Sequence, residues 1–465
     1  MCCVAYTNGA AVLLRCISSC DPESDPLCLS LTPPSTRCAT HCSPVWHGGQ
    51  AVKALTMAAR EVNAAFPGHG TIHAGTPSQI DTAGWVRAAE LGAGFILDKQ
   101  IMSGVDKGLI IALEQSPNPD DPSTSTILEA LDGLLELGNY TNNGTYTRRA
   151  ILAAKWVLDN AYMTTGTQPL PQGSYNFSGL LWDIRNVSTH RWDPTYHGNR
   201  DTAEPGRPLA DDAIMLKAFR LTRNQSYERA FLSTIDRLVK DEAPRGNWGS
   251  YGPCTGARGV MHPRQAYWWG MPMIDAYEHT LDSTYLQVAN RSALWYQAAQ
   301  RADGGMFRST RYDFVTSTFG QVTSGSSCAA LLWIRLYRIT RDQSLLAPLL
   351  AALQFIQGSH FGSGTADSNL RNAVLEYNTP PIAVEGCSCP DRTASSRVER
   401  QQGDCISKCN GGAKGGTGGS ISDASPYHVR DIATSFYMQA LAMLLQGARI
   451  EEVETHAARR SHDSQ

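Results

Sequence analysis

The sequence predicts an all-α fold in which helical hairpins stack or close into a toroid, and three observations predict it. Between residues 209 and 346 an apolar helix, a tight polar turn and a second apolar helix recur three times, with turns at 221–227, 279–285 and 339–345. Setting Tyr227, Tyr285 and Leu345 level gives steps of 58 and 60 residues, a near-constant period that marks a repeated supersecondary unit. A fourth copy precedes them, its Tyr146 lying 81 residues before Tyr227, one period plus an inserted loop. No segment reads as a long alternating strand. One hairpin cannot bury its own apolar face, so the copies must cover one another.

Residues 1–45, rich in Cys, Pro and Ser, read as a stapled or disordered leader, with the helical domain at 46–450 and a charged tail at 451–465. Val52, Leu55, Ala59, Val62 and Phe66 fall at helical spacing before Pro67-Gly68 ends the run. Asp81 can cap a helix that turns Trp85, Ala88, Ala89, Gly92 and Phe95 inward. A further helix is predicted over 126–137, ended by Gly138 in a left-handed conformation. The stripe Ala150, Ile151, Ala154, Val157, Leu158 and Ala161 follows. Residues 164–207 form a Gly-, Pro-, Trp- and Tyr-rich insertion expected to cover one mouth of the toroid. A Gly- and Cys-rich excursion at 386–419 precedes a last helix over 431–445, where Ile432, Phe436, Gln439, Ala440 and Met443 share a face.

Hydrophobic residues are 42% and charged ones 18%, which excludes a disordered chain. A net charge of −3 argues against a nucleic-acid surface. No run approaches the length of a membrane span. Of 13 Cys, seven precede Val45 and four lie in 387–409, leaving Cys254 and Cys328 in the helical body. Cysteines outside the core suggest disulfide staples; the alternative, zinc held by the C-x-C and C-x3-C pairs, lacks a His at ligand spacing. No metal or cofactor is therefore expected. Six Asn-x-Ser/Thr sequons, at Asn139, Asn143, Asn176, Asn186, Asn224 and Asn290, join the Cys clusters in pointing to a secreted glycoprotein, although residues 1–20 do not read as a signal peptide.

Three stretches can carry chemistry. Asp211 and Asp212 open a helix immediately after the aromatic insertion, and two carboxyls in different environments can divide acid and base roles in glycosidic chemistry. Asp is also a preferred helix cap, stabilised by the dipole. In residues 260–270, His262 and Arg264 stand where a helix begins; Arg264 can fork onto a carboxylate, while Tyr267, Trp268 or Trp269 can stack on a sugar ring. Core packing is the other reading of those aromatics. The third stretch, 316–328, is dense in hydroxyls, with Thr323 and Ser324 suited to sugar recognition or to capping. Each lies at the start of the first helix of a successive repeat, so a closed toroid brings them to one mouth, where Arg311 and Tyr312 from the intervening loop can join them.

At these residues the chain resembles the six-hairpin glycosidases, in particular glycoside hydrolase families 88 and 105. The resemblance rests on Asp-x-x-x-Met at 211–215, Arg-Gln-Ala-Tyr-Trp at 264–268, and the Thr-Ser-Gly-Ser element at 323–329. It implies an (α/α)6 toroid that hydrolyses unsaturated uronides. Asp211 would act as the acid/base that protonates the vinyl ether, Arg264 would lie near the substrate, and Trp268 would form an aromatic floor. The family's upstream His-Asp-x-Gly element has no counterpart here, neither Asp159 nor Asp183 standing in such a context.

The expectation is thus a secreted hydrolase of uronic-acid-containing oligosaccharides. The alternatives are a polysaccharide lyase with Tyr267 or Tyr312 as base, and a non-catalytic glycan-binding or structural protein. A sugar isomerase or epimerase would repeat His at the helix starts, where only His262 qualifies.

Overall fold

The computed structural model describes residues 45–66, 81–111, 122–163, 177–193, 206–252, 254, 260–306, 322–360, 374–377 and 431–463, with short strand segments at 2–7, 11–16, 310–311, 315–316, 318–319, 382–383, 389–390 and 428–429. Its helices are α1 (Val45–Ala65), α2 (Thr82–Asp98), α3 (Thr124–Tyr140), α4 (Gly144–Trp156), α5 (Ile214–Thr222) and α6 (Gln225–Lys240). They continue as α7 (Gln265–Thr280), α8 (Ser283–Ala299), α9 (Thr323–Thr340), α10 (Leu346–Gly358) and α11 (Asp431–Asp463).

The odd-numbered helices form a closed ring. α1 packs on α3, α3 on α5 and the turn before it, that turn on α7, α7 on α9, α9 on α11, and α11 back on α1. Each even-numbered helix from α2 to α10 packs on the helix before it, as the outer member of a hairpin. Burial follows this plan: nearly every residue from Thr124 to Leu137 in α3 and from Thr323 to Ile334 in α9 is buried, whereas α6 buries one amphipathic face. The fold is the (α/α)6 toroid.

The repeated turns agree in atomic detail. Thr141, Thr222, Thr280 and Thr340 each donate their hydroxyl to the carbonyl four residues back. The next residue, Asn142, Arg223, Leu281 or Arg341, is left-handed. The residue after that caps the following helix, Asn143, Asn224, Asp282 and Asp342 accepting the backbone N–H of Thr145, Ser226, Thr284 and Ser344. Two of the six sequons, at Asn143 and Asn224, are therefore the cap of this turn, with Asp in the same place in the other two copies.

The structure departs from the sequence reading at several elements. α3 runs past Gly138 to Tyr140, and the left-handed residue is Asn142; Gly138 instead lets α4 approach, since a Cβ there would lie 2.6 Å from Thr147 Oγ1. α1 begins at Val45, ahead of the predicted stripe. Its Gly48-Gly49 pair lowers helix propensity but serves the crossing with α3, where a Cβ on Gly49 would meet Ala130 Cα at 2.3 Å and one on Gly133 would meet the Gly49 carbonyl at 2.2 Å. Gly133→Ala is accordingly expected to cost about 3 kcal/mol of stability, read from the urea midpoint at unchanged slope. Of the expected lid, residues 164–176 and 194–205 lie outside the described residues. The part between them contributes to the core, with Leu180, Leu181, Trp182 and Asp183 buried and Thr124 N–H bonded to the Asp183 carbonyl at the start of α3.

α11 continues through Asp463, past the predicted end at 445 and into the charged tail. In the leader, 2–7 and 11–16 pair as an antiparallel hairpin. Most of the Cys-rich leader and of the 387–409 loop lies outside the described residues. Cys254 and Cys328 are buried and belong to no disulfide. Among the described residues, no helix is long and apolar enough to cross a membrane, and no three His, Cys, Asp or Glu side chains gather to hold a metal ion.

Candidate active site

The chain enters α5 through a short 3-10 turn, Asp211–Ala213, in which Asp212 (φ 51°) and Ala213 (φ 52°) are both left-handed. Two successive non-glycine residues in that region store strain that the surroundings must hold. Neither Asp makes a side-chain cap bond to the helix start, which removes the capping explanation. Asp211 is 3% exposed, and its Oδ2 is buried with no hydrogen-bond partner.

Asp212 is held at both oxygens. Lys53 Nζ lies 2.7 Å from Oδ1, and Gln50 Nε2 donates to Oδ2 at 2.8 Å. The same Lys53 reaches Asp132 Oδ2 at 2.9 Å, and Lys217 pairs with the other oxygen of Asp132.

The two neighbouring carboxyls thus meet opposite environments. Burial pushes Asp211 up to about 7; Arg207 pulls against this, while the nearby Asp212 and Asp183 charges reinforce it. Burial works against the charge on Lys53 too, but Asp132 and Asp212 outweigh it and raise the ammonium well above its usual value. Asp132 is held at about 2, the two lysines overcoming its burial. One acid is kept neutral and the next is locked in an ion pair, as paired acid/base chemistry requires.

Asp211 and Asp212 line a pocket with Glu129, Tyr267, Trp268, Met271 and Pro272. Pro272 sits inside α7 and cannot donate to the Trp268 carbonyl, so the helix is interrupted at the pocket wall. Tyr267 is anchored through its backbone N–H, 3.1 Å from the Tyr296 hydroxyl, which itself donates to the Pro263 carbonyl. Burial raises the Tyr267 phenol well above 10, Lys53 opposing this and Asp212 and Glu129 adding to it.

Arg264 lies just behind Trp268. Its guanidinium carbon is 5.2 Å from the Trp268 ring and 5.3 Å from the Trp46 ring, and its Nε and Nη1 are buried without hydrogen-bond partners. His262 stacks on Trp268 with ring centroids 5.5 Å apart.

Of the residues singled out in the sequence, Asp211, Asp212, Tyr267 and Trp268 meet at one pocket, with Arg264 and His262 against its indole. Trp269 points away, packing edge-on against Trp248 and Tyr251. Thr323 and Ser324 are fully buried at the start of α9 and are not among the pocket-lining residues; Gly325 beside them packs on Pro263. The Arg311 backbone pairs with Val260, two residues before His262, and Tyr312 lies outside the described residues.

Glu129, Gln50, Lys53, Asp183 and Arg207 were missed. A second His at an inner-helix start was missed as well: His47 is buried against Trp46, with centroids 4.0 Å apart. The available signal was position, since Gln50 and Glu129 occupy the opening turns of α1 and α3 as Asp211 does those of α5.

No protein-family model and no curated sequence matches the chain. Solved structures do. An α-mannanase of glycoside hydrolase family 76 from Bacteroides thetaiotaomicron matches with TM-score 0.51 and 12% identity, covering 88% of each chain. The chain has the fold of the six-hairpin glycosidases. Cellobiose 2-epimerase from Spirochaeta thermophila matches with TM-score 0.51 and 13% identity over 87% of this chain and 86% of its own. A D-mannose isomerase follows with TM-score 0.51 and 11% identity over 85% and 87%. The six-hairpin neighbours are carbohydrate-active enzymes, both hydrolases and epimerases.

Proposed function

We propose that this six-hairpin chain is a carbohydrate hydrolase in which Asp211 is the general acid and an unsaturated uronic acid is the substrate. The observation that carries the reading is a carboxyl held neutral up to about pH 7, with an unpartnered oxygen, on the wall of a pocket backed by a buried guanidinium whose Nε and Nη1 have no hydrogen-bond partner among the described residues. Asp211 delivers its proton to the far carbon of the enol ether, and water adds at the carbon bearing the ring oxygen. That water's proton passes to the Asp211 carboxylate, with Glu129 facing the same space, and the resulting hemiketal opens to release the leaving sugar. Arg264 receives the uronate carboxylate in a two-pronged contact, and Trp268 supplies a face for the ring. Secretion belongs to the same proposal; the Cys clusters support it, while the sequons at Asn143 and Asn224 have a structural explanation.

The opposite treatment of Asp211 and Asp212 also favours a second reading, conventional hydrolysis of a saturated glycoside with Asp211 protonating the leaving oxygen. A lyase using Tyr267 as base fits poorly, because that phenol is held protonated. Tyr267→Phe is therefore expected to keep activity within about tenfold of wild type, whereas loss of a true base costs roughly a hundredfold or more.

The deciding experiment incubates purified protein with a panel of unsaturated uronide disaccharides and follows the ultraviolet absorbance of the conjugated uronate. Absorbance should fall with wild type and stay constant with Asp211→Asn. A rise on intact polyuronate would establish a lyase, and sugar release from saturated neutral glycans alone would establish the second reading.

A further inference from the structure

We propose that Lys53 and Gln50 on α1, with Gln439 on α11, are positioning residues that confine the proton of the Asp211–Asp212 pair to Asp211, so that closing the ring completes the acid. The inference rests on Asp211 being the acid.

Two adjacent carboxyls in one buried site share a proton unless something distinguishes them. Here the distinction is geometric. Both oxygens of Asp212 are occupied by donors, Lys53 at 2.7 Å and Gln50 at 2.8 Å, whereas Asp211 Oδ2 has none. A carboxylate that accepts an ammonium and an amide N–H is stabilised as the anion.

Gln50 can play this part only in one orientation, because an amide turned over would present its carbonyl oxygen to the anion. Gln439 fixes it: its Nε2 donates to Gln50 Oε1 at 2.9 Å, which leaves Gln50 Nε2 aimed at Asp212 Oδ2 and at the Glu129 carbonyl, 3.0 Å away. Gln439 comes from the last helix of the ring and Gln50 from the first, 389 residues apart. The charge state of the site is therefore set at the seam where the toroid closes.

The cations facing the pair are Lys53 from α1, Lys217 from α5 and Arg207 from the segment preceding the 211–213 turn. The anions are Glu129 and Asp132 from α3 and Asp183 from the buried insertion, with the Tyr267 phenol on α7. Among the described residues, Lys53 is the cation that forms an ion pair with Asp212. Removing it lets Asp212 compete for the proton and, by taking away a cation, makes the last proton of the pair harder to lose.

Infrared difference spectra of the full chain at about pH 6 test the proton's location without relying on turnover. The protonated-carboxyl stretch should be present in wild type, absent in Asp211→Asn, restored in Asp211→Asn/Lys53→Met as Asp212 takes the proton, and absent again in Asp211→Asn/Lys53→Arg. In turnover, Lys53→Met should lower kcat by about tenfold and move the alkaline limb of the pH profile up by as much as about one unit, with Lys53→Arg close to wild type. Gln439→Leu keeps every charge in place and should shift both readouts less, in the same sense, which keeps the inference testable where Lys53→Met does not fold.

A missing band in Asp211→Asn/Lys53→Met, a band in Asp211→Asn alone, or a Gln439→Leu variant that loses stability with kcat and the alkaline limb unmoved would overturn the inference. A chain inactive on every sugar that still shows the expected bands would remove the proposed function and leave the proton assignment standing.

Discussion

Asp211→Asn should lower kcat by roughly a hundred- to ten-thousand-fold while making the protein more stable at alkaline pH. The amide retains the shape but carries no proton to donate. The stability effect follows from linkage. The folded-state value of about 7 lies above the ordinary 3.8, so the native chain binds a proton that the unfolded chain releases. The resulting stabilisation is complete below about pH 4 and is lost as pH rises through about 7. Above that range the buried carboxylate costs on the order of 4 kcal/mol, which the Asn variant avoids. Thermal unfolding of both proteins across this window should show a falling midpoint in wild type and a flatter one in the variant. Wild-type activity should decline over the same range. Parallel stability curves would show that Asp211 is ionised in the folded state and cannot be the acid.

Arg264→Met is expected to raise KM for a uronide by roughly ten- to a hundredfold, the worth of hydrogen bonds to a charged partner, while leaving affinity for neutral sugars unchanged. Stability should hold or increase, because the guanidinium is desolvated without an ion-pair partner among the contacts at its Nε and Nη1, and a methionine fills similar volume between Trp46 and Trp268. Arg264→Lys should not rescue binding, since a point charge lacks the planar fork. Equal losses on charged and neutral sugars would show that the residue only supports the indoles.

The hairpin plan was legible because each turn carries its own chemistry: a hydroxyl that ends one helix, a left-handed residue, and an Asn or Asp that starts the next. Asp211, Arg264 and Trp268 were legible because they fall where repeats begin. Lys53 and Gln439 were not, since nothing near them in the chain marks them out. Their role appears only when contacts spanning 159 and 389 residues are made. Two of the six sequons, at Asn143 and Asn224, carry a second, local meaning: Asn-x-Ser/Thr is both a glycosylation acceptor and the spacing of an Asn cap whose bond falls two residues on. Trp269 fell outside the pocket because successive side chains on a helix are turned about 100° from one another: Tyr267 and Trp268 face the pocket, and Trp269, the next one round, faces Trp248 and Tyr251.

The contact between α11 and α1 gives the molecule a topology unlike that of an open stack of repeats. A linear array can fray from its ends, one unit at a time, each remaining unit keeping its neighbour. A circuit has no terminal unit to lose first: parting any junction strips two helices of a partner and reopens the central hollow to water. Denaturation should therefore proceed in a single step, and excising one complete hairpin should abolish folding rather than yield a shorter, stable version.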